Sequence, residues 1–357
     1  MDNAEQMWFR PEVLALPSYV PGKNDPHAIK LASNETPFPT LPQVQAVLQS
    51  VAGGLNRYPD MFATDLVADL AALHEWPDSG IVVGNGSTSL IEKILQAVVT
   101  PEGEVVLPWR SFEAYPLLVT LAGATPVPVP LTADEGHDLP AMVAAITDRT
   151  RLVLLCTPNN PTGVTIAGAD LDRFLAAVPS DVLVVIDEAY LEYATGERLD
   201  AIARYRTHPN VCVLRTFSKA YGLAGLRVGY GIATPAVAAA LRRTGVPFGV
   251  SSIAQAAAIA SLDAADELAG RVAAVAAERD RVTLALRALG YAVPRSQANF
   301  VWLRTTDAGR EQLLSAFDAA DILVRGYAGD GVRVTIADAA SNDRVIRVLA
   351  GLAQAAA

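Results

Sequence analysis

The stretch Val211-Cys212-Val213-Leu214-Arg215-Thr216-Phe217-Ser218-Lys219-Ala220-Tyr221-Gly222-Leu223-Ala224-Gly225-Leu226-Arg227-Val228-Gly229 decides how this chain is read. It opens on a short apolar run, Val211–Leu214, of the kind that suits a parallel-sheet strand covered on both faces. Polar residues and glycines come next, as at a turn. Ligands of open parallel sheets bind beyond the carboxyl ends of the strands. Lys219 therefore sits where a ligand is expected. A lone lysine is ordinarily a solvated surface residue, and the neighbours set this one apart. Its amine can form an imine with an aldehyde. The Ser218 hydroxyl and the Arg227 guanidinium can hold a phosphate beside it. Pyridoxal 5′-phosphate, PLP, carries both groups, so amino-acid chemistry is the expectation.

The same arrangement recurs upstream. Leu152–Cys156 and Val182–Ile186 read as strands, with Asn160 and Asp187 just beyond them. Three successive strands thus deliver chemical groups to one edge. Ile81–Val83 and Glu104–Leu107 read as further strands, with helical patterns over Leu66–His74, Ser89–Val98 and Ala169–Ala177. The alternation predicts an α/β fold with a large, doubly wound, mostly parallel sheet. From Ala265 to Leu289 the pattern turns helical, with Gly290 as the stop. Phe300–Leu303, Ile322–Val324 and Val332–Ile336 then read as strands of a smaller α/β domain. At 357 residues the chain exceeds one ordinary core. The expected organisation is a proline-rich N-terminal arm over 1–30 that joins the small domain or a dimer contact. A large PLP-binding domain over 31–250 and a small C-terminal domain over 251–357 complete it.

Composition narrows the classes. Apolar residues make up 51% and charged residues 18%, which suits a well-buried soluble protein. The net charge of −10 argues against a nucleic-acid partner. Asp2, Glu5 and Arg10 are unlike the start of a signal peptide. The apolar runs fall short of the roughly 18 residues of a membrane span, so a cytoplasmic protein without membrane contact is expected. Cys156 and Cys212 each lie in an apolar run and read as buried, reduced strand residues. His27, His74, His137 and His208 have no ligand-like spacing, and no metal is expected.

Each polar motif has an ordinary reading beside its chemical one. Asp187-Glu188-Ala189-Tyr190 could simply end a strand and cap the next segment. With PLP present, Asp187 would face the pyridinium nitrogen and keep it protonated, so that the ring can absorb electrons. Tyr190 could donate its hydroxyl to the ring oxygen. Thr157-Pro158-Asn159-Asn160-Pro161-Thr162-Gly163 is turn chemistry, through which Asn160 could share that oxygen. Gly84-Asn85-Gly86-Ser87-Thr88 opens a helix, where backbone N–H groups favour phosphate. Ser89 stands where a dinucleotide fingerprint would need its third glycine. Arg325 and Arg333 lie in or beside apolar strands and need partners, either an ion pair or a carboxylate gripped in a planar fork. Phe112 and Tyr115 read as core aromatics, and either could stack on a flat ring.

Taken together, these segments resemble the class I/II PLP-dependent aminotransferases of fold type I, over nearly the whole chain. Asn-Asn-Pro-Thr-Gly, Asp-Glu-Ala-Tyr and Ser-Lys-x-x-Gly-Leu-Ala-Gly-x-Arg occur in that family's order. Leu31–Pro37, Asn56-Arg57-Tyr58-Pro59 and Val332-Arg333-Val334-Thr335 are similar to its histidinol-phosphate aminotransferase subfamily. Tyr19-Val20-Pro21-Gly22-Lys23, Thr36-Pro37-Phe38, Trp109–Tyr115 and Ser296-Gln297-Ala298-Asn299-Phe300 resemble its actinobacterial branch for aromatic amino acids.

The resemblance implies a role for each matched residue. Lys219 would hold PLP, with Asp187 on the ring nitrogen and Tyr190 and Asn160 on the ring oxygen. Phe112 would stack on the ring. Ser87, Thr88, Thr216, Ser218 and Arg227 would cup the phosphate. Tyr58 would reach the phosphate of a partner subunit, which makes a homodimer the working unit. Arg333 would grip the substrate α-carboxylate, with Asn34 and Tyr19 lining the substrate side. The implied reaction moves an amino group between an aromatic L-amino acid and a 2-oxo acid such as 2-oxoglutarate, by ping-pong steps. Arg325 keeps a rival open, since the related position in histidinol-phosphate aminotransferase helps bind the substrate's phosphate. Another PLP reaction, such as a C–S lyase, is a further alternative, because fold does not choose the bond broken. A non-catalytic PLP-binding regulator is the alternative of another class, and the lack of a basic DNA-binding module counts against it.

Overall fold

The computed structural model describes residues 8–16, 25, 27–195, 202 and 206–356. Tyr19 lies outside the described residues. Seven strands form the main sheet: β2 (Ile81–Gly84), β3 (Glu104–Trp109), β4 (Thr125–Pro130), β5 (Thr150–Cys156), β6 (Leu183–Asp187), β7 (Val211–Thr216) and β8 (Gly229–Ala233). Their order is β2-β8-β7-β6-β5-β3-β4. Only β8 runs against the others. The edge strand β4 carries Pro126, Pro128 and Pro130, which lack the N–H groups that would pair a further strand.

Successive residues of the central strands pack on opposite faces, as a period of two requires. Val184, Ile186, Val211 and Val213 face one way, against helices Pro42–Val51, Thr64–His74, Gly168–Ala177 and Ser252–Asp263. Leu183, Val185, Cys212 and Leu214 face the other way, against helices Ser87–Val98, Ala114–Leu121 and Pro235–Arg243. Burial of each such aliphatic side chain stabilises the fold by roughly 1.5–3 kcal/mol. Both cysteines are free and buried.

A second sheet has the order β11-β12-β9, all antiparallel, formed by β9 (Phe300–Arg304), β11 (Arg325–Tyr327) and β12 (Gly331–Thr335). Val275, Val282 and Leu286 of helix Ala265–Ala288 pack in its core. The short strand β1 (Ile29–Lys30) pairs in parallel with β10 (Ile322–Leu323), so the chain just ahead of residue 31 is tied to this smaller α/β domain. Further upstream, Arg10 Nη2 donates to the carbonyl of Leu121 at 2.5 Å. Among the described residues, no helix is long and apolar enough to cross a membrane.

Several elements run past their expected ends. β3 reaches Trp109, β7 reaches Thr216, and the helix expected from Ser89 starts at Ser87. Apolar patterning marks only the buried part of an element, and these extra residues are polar or half-buried ends at the edge of the sheet where a cavity opens.

Candidate active site

The carboxyl ends of β2, β5, β6 and β7 open on a cavity of about 260 Å³. Phe112 and Glu113 reach it from the loop after β3, and Arg325, Tyr327 and Arg333 close it from the small sheet. Lys219, Asp187, Tyr190, Asn160, Phe112, Ser87, Thr88, Thr216, Ser218, Arg227, Arg333, Arg325 and Asn34 all line it. Tyr58 does not. It is 82% exposed, and its ring packs 4.7 Å from that of Phe248.

Lys219 Nζ donates to the carbonyl of Ser33 at 3.1 Å. Removal from water pushes its pKa down to about 8, helped by the positive charges of Arg333 and Arg227 and opposed by Glu35 and Asp187. The shift moves the amine toward the neutral form that a nucleophilic or proton-accepting amine needs. Asp187 is 4% exposed at the end of β6. Its Oδ2 accepts from the Tyr115 hydroxyl at 2.9 Å and its Oδ1 from the Ala189 N–H at 3.2 Å. Burial raises its pKa to about 6 against those hydrogen bonds. Both donors are neutral, so the carboxylate lacks the hydrogen-bonded cation that usually accompanies a buried charge. A protonated ring nitrogen bound in the cavity would supply one.

Tyr115 takes the core position of its ordinary reading. It is fully buried and spends its hydroxyl on Asp187, so it cannot stack on a ligand. Its ring meets Phe112 edge-on, with centroids 5.4 Å apart. Phe112 alone of the two lines the cavity.

The anion-binding end is built from a glycine turn and an arginine. Gly86 has φ 83° and precedes the helix Ser87–Val98, whose first N–H groups are without intrahelical acceptors. A Cβ at Gly86 would lie 2.6 Å from Arg227 Nη2, so only glycine permits this approach. Arg227 Nη1 donates to Ser218 Oγ at 3.1 Å and Nη2 to the carbonyl of Asn85 at 3.4 Å. The Ser218 N–H donates to Thr216 Oγ1 at 3.1 Å. With Ser87 and Thr88 at the helix start, these hydroxyls and the guanidinium form a cup suited to phosphate.

At the opposite end, Arg333 Nη1 donates to Asn160 Oδ1 and Nη2 to the carbonyl of Ala32, both at 2.6 Å. Its Nε is buried with no hydrogen-bond partner among the described residues. An unmet buried donor is costly, and a ligand oxygen would satisfy it. Asn34 adopts φ 56° and donates from Nδ2 to the Tyr190 hydroxyl at 2.9 Å. Its backbone N–H donates to Thr335 Oγ1 at 3.0 Å. Tyr190 accepts there and keeps its own proton to donate elsewhere. Arg325 donates through Nε and Nη2 to Glu113 Oε2, at 3.1 and 3.0 Å.

Glu113, Tyr327 and the carbonyls of Ala32 and Ser33 escape sequence reasoning. Carbonyls leave no trace in side-chain identity. Tyr327 enters because it sits on β11 two residues from Arg325, on the same face of the strand.

A mostly parallel sheet whose strand ends present a lysine, a buried aspartate and an anion cup defines a fold type I, PLP-dependent transferase. Residues 26–349 match the family aminotransferase class I and II, and the chain belongs to it. It is 53% identical over 347 residues to the aromatic amino acid aminotransferase of Streptomyces coelicolor, covering 95% of this chain and 96% of that one. A relative of the same name from Rhodococcus jostii is 54% identical over 334 residues, with 94% and 93% covered. Among solved structures, histidinol-phosphate aminotransferase from Sinorhizobium meliloti in complex with PLP superposes with a TM-score of 0.88. It is 30% identical, with 98% of both chains covered. The protein is a PLP-dependent aminotransferase, and the buried Asp187 carboxylate and the anion cup fit that cofactor.

Proposed function

We infer that this chain moves the amino group between an aromatic L-amino acid (phenylalanine, tyrosine or tryptophan) and a 2-oxo acid such as 2-oxoglutarate. The observation that carries the reading is one cavity that joins Lys219, Asp187 and the unmet Nε of Arg333 to the aromatic walls Phe112 and Tyr327. The names of the relatives more than half identical to it point the same way.

In this reading Lys219, Asp187, Tyr190, Asn160 and Phe112 hold the ring of PLP. Ser87, Thr88, Thr216, Ser218 and Arg227 hold its phosphate. When bound, PLP supplies a carbonyl that takes up an amine and a ring that draws electrons from the substrate Cα. Lys219 Nζ would accept the substrate Cα proton as a general base and hold it for return as a general acid. Asp187, held by Tyr115, would keep the ring nitrogen charged. Arg333 fixes the substrate carboxylate so that the Cα proton faces Lys219. The exchange repeats in reverse with a 2-oxo acid, giving ping-pong kinetics.

Arg333→Lys keeps a charge but loses the planar fork. The amino-acid half-reaction should weaken by roughly 10-fold or more, mainly through substrate affinity. An unchanged affinity would move carboxylate recognition away from Arg333.

The working unit in this reading is a homodimer, with Tyr58 entering the partner's anion cup. Support comes from the exposed apolar side chains near Tyr58 in the chain, Leu55, Met61 and Phe62, and from Phe248, whose ring packs on it. Light scattering should give twice the chain mass of 37.6 kDa, and a monomer would remove Tyr58 from the site.

The test of the function is the single half-reaction. The PLP-loaded protein is mixed with L-phenylalanine, and separately with L-histidinol phosphate, and the cofactor spectrum is monitored. Conversion by phenylalanine at far lower concentration is expected. Preference for histidinol phosphate would overturn the aromatic reading and make Arg325 a phosphate ligand.

A further inference from the structure

The cavity's charges divide into a settled part and one pair without a task. Lys219, Arg227, Arg325 and Arg333 line it as cations, and Asp187 and Glu113 as acids. The cofactor and the substrate carboxylate account for Lys219, Arg227, Arg333 and Asp187. Arg325 and Glu113 are left, and they are bound to each other.

The sheet register explains why. Arg325 and Arg333 are direct Cα partners on the antiparallel strands β11 and β12. Like charges opposite each other are unfavourable unless compensated. Glu113 comes from the loop after β3, on the other side of the cavity, and one oxygen takes both Nε and Nη2 of Arg325. Phe112, next to Glu113, and Tyr327, two residues from Arg325, line the same cavity as this pair.

We propose that Glu113 is a selectivity residue that neutralises Arg325 and so turns this end of the cavity from an anion site into a site for neutral rings. An anionic side chain, that of the acceptor 2-oxoglutarate included, must displace the carboxylate or lie against it, so the pair sets a preference between substrates and does not bar the acceptor. A neutral ring meets the pair without that penalty and packs on Phe112 and Tyr327. The proposal rests on the aromatic-aminotransferase reading and names what enforces it.

The experiment compares the PLP-loaded parent with Glu113→Gln. Half-reactions are measured with L-phenylalanine, L-histidinol phosphate and L-glutamate, and the kcat/KM of each anionic substrate is divided by that of phenylalanine. In E113Q the Nε and Nη2 of Arg325 lose their carboxylate acceptor, and this ratio should rise about tenfold or more, chiefly through KM. The double variant E113Q/R325Q should return the ratio close to the parent's. R325Q alone, which leaves the carboxylate without this partner, should lower it. An unchanged ratio in PLP-loaded E113Q overturns the proposal, and so does a gain that survives in the double variant. Should E113Q fail to hold PLP, the ratio in R325Q decides: a fall supports the proposal and a rise or no change overturns it. A parent that does not convert phenylalanine overturns the functional reading instead, and that result is read before any variant is made.

Discussion

Lys219→Ala should keep its fold and its PLP while losing amino transfer by roughly 10³-fold or more, the scale of a positioned acid–base group with a covalent role. The geometry supports the separation. The cup of Ser87, Thr88, Thr216, Ser218 and Arg227 and the carboxylate of Asp187 do not depend on Lys219 for their hydrogen bonds. The Lys219 amine donates to the Ser33 carbonyl, so the alanine variant leaves that acceptor open beside the cavity. What disappears is an amine held near pKa 8 by burial and by Arg333. The check has two parts. Borohydride reduction should fix PLP to the parent chain and leave the variant unlabelled, and steady-state turnover should collapse. Near-parental turnover would remove Lys219 from the chemistry altogether.

Asp187→Asn should separate catalysis from stability in the opposite direction. Turnover should fall by at least about 10²-fold, as when one preorganised electrostatic partner is removed. The PLP-free fold should be no less stable, because the amide can still accept from Tyr115 and need not carry a buried charge. The sign comes from the shift. Burial raises the folded-state pKa from 3.8 to about 6. The stabilisation that Asp187 confers on the PLP-free fold is thus complete below about pH 3.8 and is lost as pH rises through about 6. The melting temperature of PLP-free D187N minus that of the PLP-free parent should therefore increase between about pH 4 and pH 7. With PLP bound the order reverses, since the parent carboxylate gains a cation and the amide does not. A pH-independent difference would show that Asp187 does not ionise in the cavity, and unchanged turnover would end its role as the ring's partner.

Much of the site is legible in the sequence. Asn160, Asp187 and Lys219 each come after an apolar strand, and strand ends of a parallel sheet converge on one edge. Their positions along the chain are therefore enough to bring them together. The same logic carries the anion-binding residues Ser87 and Thr88, because a glycine turn ahead of hydroxyl residues is a local signature. Phe112 and Tyr115, both read as core aromatics with stacking open to either, show where local signals stop. Whether an aromatic faces a cavity or lies behind the residue that does depends on helix placement, and here the Tyr115 hydroxyl ends on Asp187. Glu113 carries no signal beside Phe112, because its partner, Arg325, is more than two hundred residues away.

By itself, the sequence determined the alternation of strands and helices, a doubly wound, mostly parallel sheet, and the places along the chain of the lysine, the aspartate and the candidate anion-binding residues; β4 and the antiparallel β8 are not read from it. What it determined comes from apolar periodicity, turn residues and short-range spacing, which act within a few residues of chain. Tertiary structure alone decided what each charge meets. The pairing of Arg325 with Glu113, the hold of Arg333 on Asn160 and the Ala32 carbonyl, the tie from Asn34 to Tyr190 and the support of Asp187 by Tyr115 all join distant segments. A charged side chain's energy in a cavity is set by its surroundings within a few ångströms. Those surroundings come from strand register and the approach of two sheets, and no local stretch of this chain encodes either.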